Sequence, residues 1–548
     1  MRARRSFTCL AAATLSLFCA LATAAEIPHF RKQGTTSQLI VDGKPFLILG
    51  GELGNSSASS LEYMKPYWPK LAELNLNTVL APVSWELIEP IEGRFDFSIV
   101  DGLIRDARQS ELRLVLLWFG SWKNSMSTYV PAWVKRDQAR FPRAQIANGE
   151  GQEILSAFAE NNWTADANAF GALMTHLKQV DGVRNTVIMV QVENEVGMLP
   201  TAREYGTDAN ARFAGPAARE LLTHLEQHRD RLAPRIRELW ESNGAKTQGS
   251  WSDVFGPGPA AEEIFTAWHY ARYVEAVTKQ GKRAYALPMF VNAALNRPGD
   301  LPGRYPSGGP LPHLLDVWKA GAPSLDFLAP DVYFPNFGEL IGKFARPDNP
   351  LFIPEANRAG RAEGGADAFF AIGRYDAVGY SPFSIENIET PGSDRLRNAY
   401  DVLRQLTPVI LENQGRGRIV GLQPRVAFDG SVTDAPERVT LGNFVFEVSY
   451  IDPWTPKADQ NTSTHGGMIV QVAPDEYYFA GSGITVTFSP VGEGPHLAGI
   501  ESAWEGHFEK GEWKRGRLLN GDQTHQGRHI RLEPDRFGIQ RVKFYRYR

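Results

Sequence analysis

Cysteine is almost missing from this chain of 548 residues. The two that occur, Cys9 and Cys19, both lie within the first 24 residues, a segment that we expect to be removed from the mature protein. A chain without thiols has no disulfide bond, no cysteine nucleophile and no cysteine-ligated metal. These three kinds of site are therefore excluded for residues 25–548.

A long hydrophobic run is also missing. The most apolar stretch, Leu10 to Leu21, has about twelve residues and falls short of the ~20 that span a bilayer. Arginines precede it and Ala22-Thr23-Ala24 follows it, which is the order of parts in a secretory signal peptide. We expect residues 1–24 to direct export to the periplasm or the medium, with no membrane insertion after cleavage.

An excess of positive charge is missing as well. Lysine and arginine total 58 against 62 acidic residues, and the formal net charge is −4. This balance argues against nucleic acid as a partner. Hydrophobic residues make up 43% of the chain, which is typical of a globular protein long enough for one large and one smaller domain.

The chain does contain eight short apolar runs, most of them separated by helical patterns and each followed by polar or aromatic residues. The runs are Phe46–Gly50, Asn77–Ala81, Leu112–Trp118, Val187–Val192, Pro288–Val291, Leu325–Ala329, Leu351–Pro354 and Ala377–Tyr380. This alternation predicts an α/β fold, a (β/α)₈ TIM barrel. A doubly wound sheet is the alternative, but Gly50–Gly54 lacks the spacing of its phosphate-binding turn.

The pattern also predicts the division into domains. We expect the barrel to occupy residues 25–415, with a helical insertion near residues 200–285. After residues 414–417 the chain changes to β-rich segments such as Val439–Ile451, separated by glycine and proline. This change predicts a smaller, all-β, sandwich-like domain over residues 416–548.

Two glutamates follow apolar runs that are distant in sequence. Glu195 comes after the fourth run and Glu355 after the seventh; in an eight-stranded barrel those strands lie across the mouth. Retaining glycosidases need two carboxylates roughly 5–5.5 Å apart, one as nucleophile and one as proton donor. Periodicity does not decide which glutamate has which role. Asn194, directly before Glu195, is a candidate partner for a sugar 2-hydroxyl.

Two segments resemble a known family. Residues 190–197, Val-Gln-Val-Glu-Asn-Glu-Val-Gly, are similar to the Q-x-E-N-E-Y-G motif of glycoside hydrolase family 35, the β-galactosidases. Residues 77–97 are similar to its N-T-V…W…E-P…G-x-F-D-F segment. The resemblance covers most of residues 36–415. It implies that Glu195 is the acid/base, that Glu355 is the nucleophile, and that Tyr333 lies near the nucleophile.

The chain departs from the family pattern at several positions. Val196 stands where the motif usually has tyrosine, and Glu86 stands where asparagine commonly follows Trp85. Gly120–Asn124 does not reproduce the usual sugar contacts. The segment after the first run looks like a bacterial branch of the family, some members of which trim β-galactose from xyloglucan side chains.

Further substrate contacts are expected from side chains at the ends of the predicted strands. These candidates are Glu52, Trp85, Glu86, Trp122, Asn124 and Asn292. Strict strand alternation would put Asn194 on the face opposite Glu193 and Glu195. Asn194 and Glu195 share the site only if the strand loses its regular pleat there, and Glu193 is then expected to be a buried supporting residue.

Other motifs favour structural roles. His224 and His228 have the i, i+4 spacing of a zinc pair, but the glutamate is misplaced for an H-E-x-x-H motif, and the charged surroundings indicate a solvated helix face. Trp268 and His269 are expected to pack in the core rather than reach the cleft. We also expect packing, rather than stacking on polysaccharide, for Tyr477, Tyr478, Trp504 and Trp513.

These observations and the resemblance together predict an exported, exo-acting, retaining β-galactosidase that removes terminal β-galactosyl residues from plant-type oligosaccharides. No metal or organic cofactor is implied, because two carboxylates suffice for the chemistry. One alternative keeps the mechanism but acts on glucosides, mannosides or L-arabinopyranosides. The other is a non-catalytic glycan-binding protein, which would have no need of a matched acid and nucleophile.

Overall fold

The computed structural model describes residues 26–390, 392–433, 435–534 and 536–548. The predicted signal peptide lies outside these residues. The described chain begins with a small antiparallel sheet of β1 (His29–Gln33), β2 (Thr36–Val41) and β3 (Lys44–Phe46). Asp42 and Gly43, with φ of 51° and 74°, supply the left-handed conformation that a two-residue hairpin turn requires.

Eight parallel strands close into a barrel, which confirms the predicted fold class. In order around the barrel they are β4 (Ile48–Glu52), β5 (Thr78–Ser84), β6 (Arg113–Phe119), β9 (Val187–Val192), β10 (Met289–Ala294), β11 (Phe327–Val332), β12 (Phe352–Arg358) and β13 (Gly379–Phe383). They read as continuous apolar runs because helices cover one face and the barrel interior buries the other. The sheet β7 (Arg143–Gln145) and β8 (Gly151–Leu155), in the connection after β6, is not predicted from the sequence.

The barrel interior is apolar at the end where the strands begin. Leu39 and Val41 of β2 pack there with barrel side chains such as Ile188, Phe290 and Phe352. The hairpin therefore closes the amino-terminal end of the barrel. Polar side chains concentrate at the opposite, carboxyl end of the strands, where TIM barrels carry their functional residues.

Helices surround the barrel. In chain order they are α1 (Leu61–Met64), α2 (Tyr67–Glu73), α3 (Trp85–Ile88), α4 (Ser98–Gln109), α5 (Ala132–Arg136), α6 (Glu160–Asp181), α7 (Thr207–Ala214), α8 (Arg219–Gln227), α9 (Pro234–Ser242), α10 (Trp251–Phe255), α11 (Pro259–Ala284), α12 (Leu315–Gly321), α13 (Phe337–Gly342), α14 (Gly364–Tyr375) and α15 (Gly392–Asn413). Five of them, α7 to α11, lie between β9 and β10. Within the described part of the chain, no helix combines the length and the apolar character needed to cross a membrane.

The carboxy-terminal part is a sandwich of two antiparallel sheets, as predicted. One sheet has the order β14-β17-β18-β23-β20-β21 and the other the order β15-β16-β19-β22. The strands are β14 (Ile419–Leu422), β15 (Glu437–Leu441), β16 (Phe444–Ser449), β17 (Gly466–Ala473), β18 (Glu476–Ser482), β19 (Ile484–Pro490), β20 (Leu497–Glu509), β21 (Glu512–Leu518), β22 (Ile530–Leu532) and β23 (Gly538–Tyr547). Phe444, Phe446, Tyr477 and Phe544 fill the space between the sheets.

The sandwich packs against α14 of the barrel. The rings of Phe369 and Phe537 stack with their centroids 5.3 Å apart. A Cβ atom added to Gly373 would lie 2.8 Å from the Cα atom of Gly421, so helix and strand approach as closely as two glycines permit. This contact joins the two domains along the helix that follows β12.

Candidate active site

The backbone changes its conformation directly after β9. Glu193 and Glu195 have φ of 62° and 44°, in a left-handed region that costs a non-glycine residue about 1–2 kcal/mol. Two hydrogen bonds hold this turn: Asn194 N donates to the Trp122 carbonyl at 3.2 Å, and Glu195 N donates to Asn292 Oδ1 at 2.9 Å. The regular pleat is thereby lost, and the side chains of Asn194 and Glu195 both face the mouth of the barrel.

Three carboxylates meet at this mouth. Glu195, Asp331 and Glu355 each contribute an oxygen to a group in which all the oxygens lie within 4.8 Å of one another. Glu355 lies inside β12 rather than after it, with Asp331 of β11 as its neighbour in the sheet register. A separation this short matches the pair in a retaining glycosidase, because an inverting enzyme needs roughly 6.5–9.5 Å to hold a water molecule.

Two neutral side chains donate hydrogen bonds to Glu355. One is the Tyr333 hydroxyl, which donates to Oε1. The other is Glu52 at the end of β4: burial, and then the negative charge of Glu355, raise its pKa well above the usual range. This shift favours the protonated form of Glu52, whose carboxyl group can donate a hydrogen bond to Glu355. Both donors stabilise the ionised form of Glu355.

Lys123 supplies a positive charge to the same site. Its Nζ lies 3.8 Å from Glu195 Oε2, and both side chains are mostly buried. Burial and the charge of Glu355 raise the pKa of Glu195 to about 7, and Lys123 opposes that rise. Burial also raises the pKa of Glu355, but Lys123, Tyr333 and Glu52 all oppose it. The environment thus favours a protonated Glu195 beside an ionised Glu355, as acid and nucleophile require.

Asn194 and Asn292 belong to one buried amide network. Asn194 Oδ1 accepts hydrogen bonds from Gln191 Nε2 at 2.7 Å and from Asn292 Nδ2 at 2.9 Å. Its Nδ2 donates to the carbonyl of Lys123 at 2.8 Å, and the whole side chain is buried. Asn292 Nδ2 also donates to Asp331 Oδ2 at 2.7 Å. Asn292 therefore positions the turn and Asp331. The sequence predicts that Asn292 follows the fifth strand, but it lies within β10.

A second polar layer lies behind the carboxylates. Glu193 is fully buried and accepts a hydrogen bond from Trp122 N at 2.7 Å. Its pKa is raised well above the usual range by burial and by the nearby Asp166. Asp166 of α6 accepts from Trp118 Nε1, from Ser121 N and Oγ, and from the Tyr273 hydroxyl. This layer fixes residues 121–123, which carry Lys123.

Four of the side chains predicted to contact the sugar, Trp85, Glu86, Trp122 and Asn124, have their contacts within the protein instead. Trp85 and Trp122 are both 0% exposed. Trp85 Nε1 donates to Glu89 at 2.9 Å, and Trp122 packs on Tyr270 and Tyr273. Both indoles therefore pack in the core, and neither offers a surface to a sugar; position at a strand end does not determine the direction of a side chain.

The two polar rim candidates also have partners within the protein. Glu86 forms an ion pair with Lys135 at 3.2 Å and lines a cavity of about 240 Å³ with Tyr129 and residues of α4. Asn124 Oδ1 accepts from Met126 N and Ser127 Oγ and closes a turn. These contacts give Asn124 a structural role, and they pair Glu86, in the first turn of α3, with Lys135.

His224 and His228, and Trp268 and His269 of the inserted helix α11, make packing contacts within the protein. The rings of His224 and His228 stack at 4.2 Å, and His228 Nδ1 is bonded to the His224 carbonyl. Among the described residues, the group with three potential metal ligands close together is the carboxylate group of Glu195, Asp331 and Glu355. His269 packs against Phe158 and Phe265, and Trp268 is buried.

The sequence reading missed two members of the site, Lys123 and Asp331. Both follow or end predicted strands, at the same positions that singled out Glu52 and Asn292. Lys123 was embedded in a segment that departs from the family pattern, and Asp331 precedes Tyr333 by two residues. A search for every charged residue at a strand end would have found both.

Comparison with known protein families adds two matches. Residues 62–283 match the sequence model of glycoside hydrolase family 42, described as beta-galactosidase, whereas the two motifs resemble family 35. Residues 396–531 match a domain of unknown function, DUF5597. The first match contains Glu195, and the second covers most of the sandwich.

Three individual proteins are similar to parts of this chain. A beta-galactosidase from Xanthomonas manihotis is 30% identical over 238 residues, which are 40% of this chain and 35% of that protein. The chain thus matches about a third of the length of this relative. Among solved structures, the cold-adapted beta-galactosidase from Rahnella sp. R3 is 15% identical, with a TM-score of 0.46; the match covers 74% of this chain and 59% of the Rahnella chain. The beta-galactosidase from Bacillus circulans sp. alkalophilus is 14% identical, with a TM-score of 0.46; the match covers 67% of this chain and 57% of the Bacillus chain.

Proposed function

We propose that this protein is an exported, retaining β-galactosidase that removes terminal β-galactosyl residues from plant-type oligosaccharides such as xyloglucan side chains. The observation that carries the proposal is the separation of the carboxylates of Glu195 and Glu355, whose nearest oxygens lie within 4.8 Å. The match of residues 62–283 to a family described as beta-galactosidase supports the choice of sugar. Membership of family 35, indicated by the two motifs, is part of the proposal.

The first chemical step forms a covalent intermediate. A carboxylate oxygen of Glu355 attacks the anomeric carbon while Glu195 transfers its proton to the departing glycosidic oxygen. The hydrogen bonds from Tyr333 and Glu52 keep Glu355 ionised before the attack. Asn194 is the proposed partner of the 2-hydroxyl, a contact that strengthens in the transition state.

The second step returns the enzyme to its starting state. Glu195, now ionised, takes a proton from water, and the water oxygen displaces Glu355 from the anomeric carbon with net retention. When Glu355 is esterified its negative charge is absent. One of the two causes that raise the pKa of Glu195 is then removed, and Glu195 becomes more acidic at the stage where it must act as a base.

Two variants test the roles. We expect Glu355→Gly to abolish turnover of aryl β-galactosides and to form an α-galactosyl azide when azide occupies the space of the lost carboxylate. Loss of a general acid/base costs about 10²–10⁴-fold, so Glu195→Ala should lose that much and regain turnover with azide, giving the β-galactosyl azide. The exposed Glu512→Gln serves as a control and should match the wild type.

The substrate is tested separately from the roles. Wild-type protein is assayed on aryl β-galactosides, β-glucosides, β-mannosides and α-L-arabinopyranosides, and on galactosylated xyloglucan oligosaccharides. Release of galactose from chain ends is expected. Faster hydrolysis of another glycoside would replace galactose in the proposal, and cleavage of internal backbone bonds would refute the exo mode. Export is tested by fractionating cells that express the full chain and by sequencing the mature amino terminus.

A further inference from the structure

A hairpin of the sandwich domain reaches the rim of the barrel. It spans residues 425–433 and is closed by backbone hydrogen bonds from Ala427 N to the Ser431 carbonyl and from Thr433 N to the Arg425 carbonyl, each 2.9 Å long. Asp429 Oδ1 accepts from Ser431 N and Oγ and braces the tip. The hairpin is therefore ordered by its own contacts and presents Phe428 at a fixed place.

Phe428 contacts the residue that follows the tyrosine at the nucleophile. Its ring centroid lies 5.2 Å from that of Phe334. Phe334 is next to Tyr333, whose hydroxyl donates to Glu355, and the Cα atoms of adjacent residues are only ~3.8 Å apart. Phe428 and Tyr333 are 36% and 39% exposed, so both rings retain surface for a ligand.

Independent contacts hold the sandwich at the catalytic end of the barrel. Gln423 Nε2, two residues before the hairpin, donates to Asp367 Oδ1 at 2.6 Å. Ser463 Oγ donates to Glu363 Oε1 at 3.2 Å. Both acceptors lie at the start of α14, which follows β12 and hence begins at the end of the barrel where Glu355 is located. The hairpin leaves the sandwich from this anchor and extends towards β11.

We propose that Phe428, supported by Phe334, is a binding subsite for a sugar of the leaving group. The inference rests on the proposed function and adds the length of the substrate to it. A pyranose ring has an apolar C–H face that stacks on an exposed aromatic ring, and carbohydrate and small-ligand sites are commonly lined in this way. The sandwich thus selects oligosaccharides over galactosides of small alcohols. In this proposal the galactosyl ring stays at Glu355, and the sugar of the leaving group is the part of an oligosaccharide that contacts Phe428.

Phe428→Ala tests the subsite by comparing two substrates. Aromatic contacts of this kind are worth a factor of about 3–10 in affinity. We expect kcat/KM on a galactosylated xyloglucan oligosaccharide to fall about 3–10-fold, mainly through KM, and kcat/KM on an aryl β-galactoside to stay within twofold. Phe428→Tyr should retain the wild-type values on both substrates. Tyr547→Ala, which removes an exposed ring of the same domain, is the control.

A binding measurement keeps the test independent of turnover. The Kd of the oligosaccharide is measured by calorimetry for Glu195→Ala and for the Glu195→Ala/Phe428→Ala double variant, and we expect it to rise about 3–10-fold in the double variant. An unchanged Kd, or an equal loss on aryl galactoside and oligosaccharide, would overturn the subsite. A wild type inert on every galactoside, with the Kd difference intact, would overturn the proposed function and leave the subsite standing.

Discussion

Lys123 contributes to the site through two different groups. Its backbone carbonyl accepts the hydrogen bond that orients Asn194, while its ammonium group lies beside Glu195. A buried positive charge favours the ionised form of every carboxylate around it. Lys123 therefore lowers the pKa values of Glu195, the proposed acid, and of Glu355, the proposed nucleophile, together.

Lys123→Met should move the whole pH profile of kcat/KM to higher pH. In the proposed mechanism, activity needs Glu355 ionised, which sets the acidic limb, and Glu195 protonated, which sets the basic limb near its pKa of about 7. Without the lysine both pKa values rise, because Lys123 lowers each of them. Profiles on an aryl galactoside measure both limbs. Lys135→Met, which removes the partner of Glu86, is the matched control, and an equal shift there would refute the assignment.

Tyr333→Phe should move one limb only. The hydroxyl donates to Glu355 and lowers the pKa of that carboxyl. Its loss raises the pKa of Glu355, so the acidic limb moves to higher pH while the basic limb stays near pH 7. Tyr545→Phe, on the exposed surface of the sandwich, should leave both limbs unchanged. A displacement of both limbs in Tyr333→Phe would indicate a general distortion of the site.

The sequence predicts site residues from polar and aromatic side chains at the ends of predicted strands. Such a prediction is correct only where the side chain points into the mouth of the barrel. Glu195 and Glu355 meet as the predicted placement of their strands requires. Trp85 and Trp122 occupy similar positions, but their indoles turn into the core, where large apolar surfaces are buried. Direction depends on backbone angles such as those of Glu193 and Glu195, and an amino-acid sequence does not report them.

At the scale of elements, α6 controls the loop after β6. Asp166 on this helix accepts four hydrogen bonds, two of them from Ser121. Because Ser121 is two residues before Lys123, the position of α6 helps to fix the position of the Lys123 backbone. The apolar runs predicted the barrel strands well, since burial on both faces leaves few other sequences possible, but they gave no indication of this buried carboxylate.

Asp166→Ala should destabilise the protein and impair the site. Removing the carboxylate leaves the buried Trp118 Nε1 and Ser121 N donors unpaired, while the Ser121 and Tyr273 hydroxyls keep each other as partners. Each unpaired group costs about 1–3 kcal/mol. Relaxation recovers part of that, so we expect the free energy of unfolding to fall by about 3 kcal/mol. Urea denaturation measures the loss. The exposed Glu226→Ala should change the unfolding curve little, and an equally mild Asp166→Ala curve would contradict the role of the network.

At the scale of the whole molecule, the barrel and the sandwich share a tight interface. Change of composition near residue 415 predicted that a second domain begins there, but sequence alone did not indicate that it packs on α14. The contact depends on Gly373 and Gly421, whose backbones approach each other as side chains would not allow. Glycines occur at many surface turns, so their presence in a helix and a strand was not distinctive.

Gly373→Ala should weaken this interface. The new methyl group would lie 2.8 Å from the Gly421 Cα, and overpacking of this kind costs about 1–3 kcal/mol. Gly364→Ala, on the same helix, is a matched control because its Cβ would meet no atom nearer than 3.6 Å. Thermal unfolding of both variants measures the difference. Equal midpoints would show that the two domains do not depend on this contact.

The anchoring of the sandwich beside the nucleophile strand has a consequence for how such proteins diversify. Gln423 and Asp367 lie on opposite sides of the domain boundary, and so do Phe428 and Phe334. A recombination event that replaced residues 416–548 by another sandwich would therefore break a stabilising contact and remove the proposed sugar subsite at once. The two halves of the gene are expected to be inherited together, and changes in the range of sugars to arise by point substitution in the hairpin rather than by exchange of whole modules.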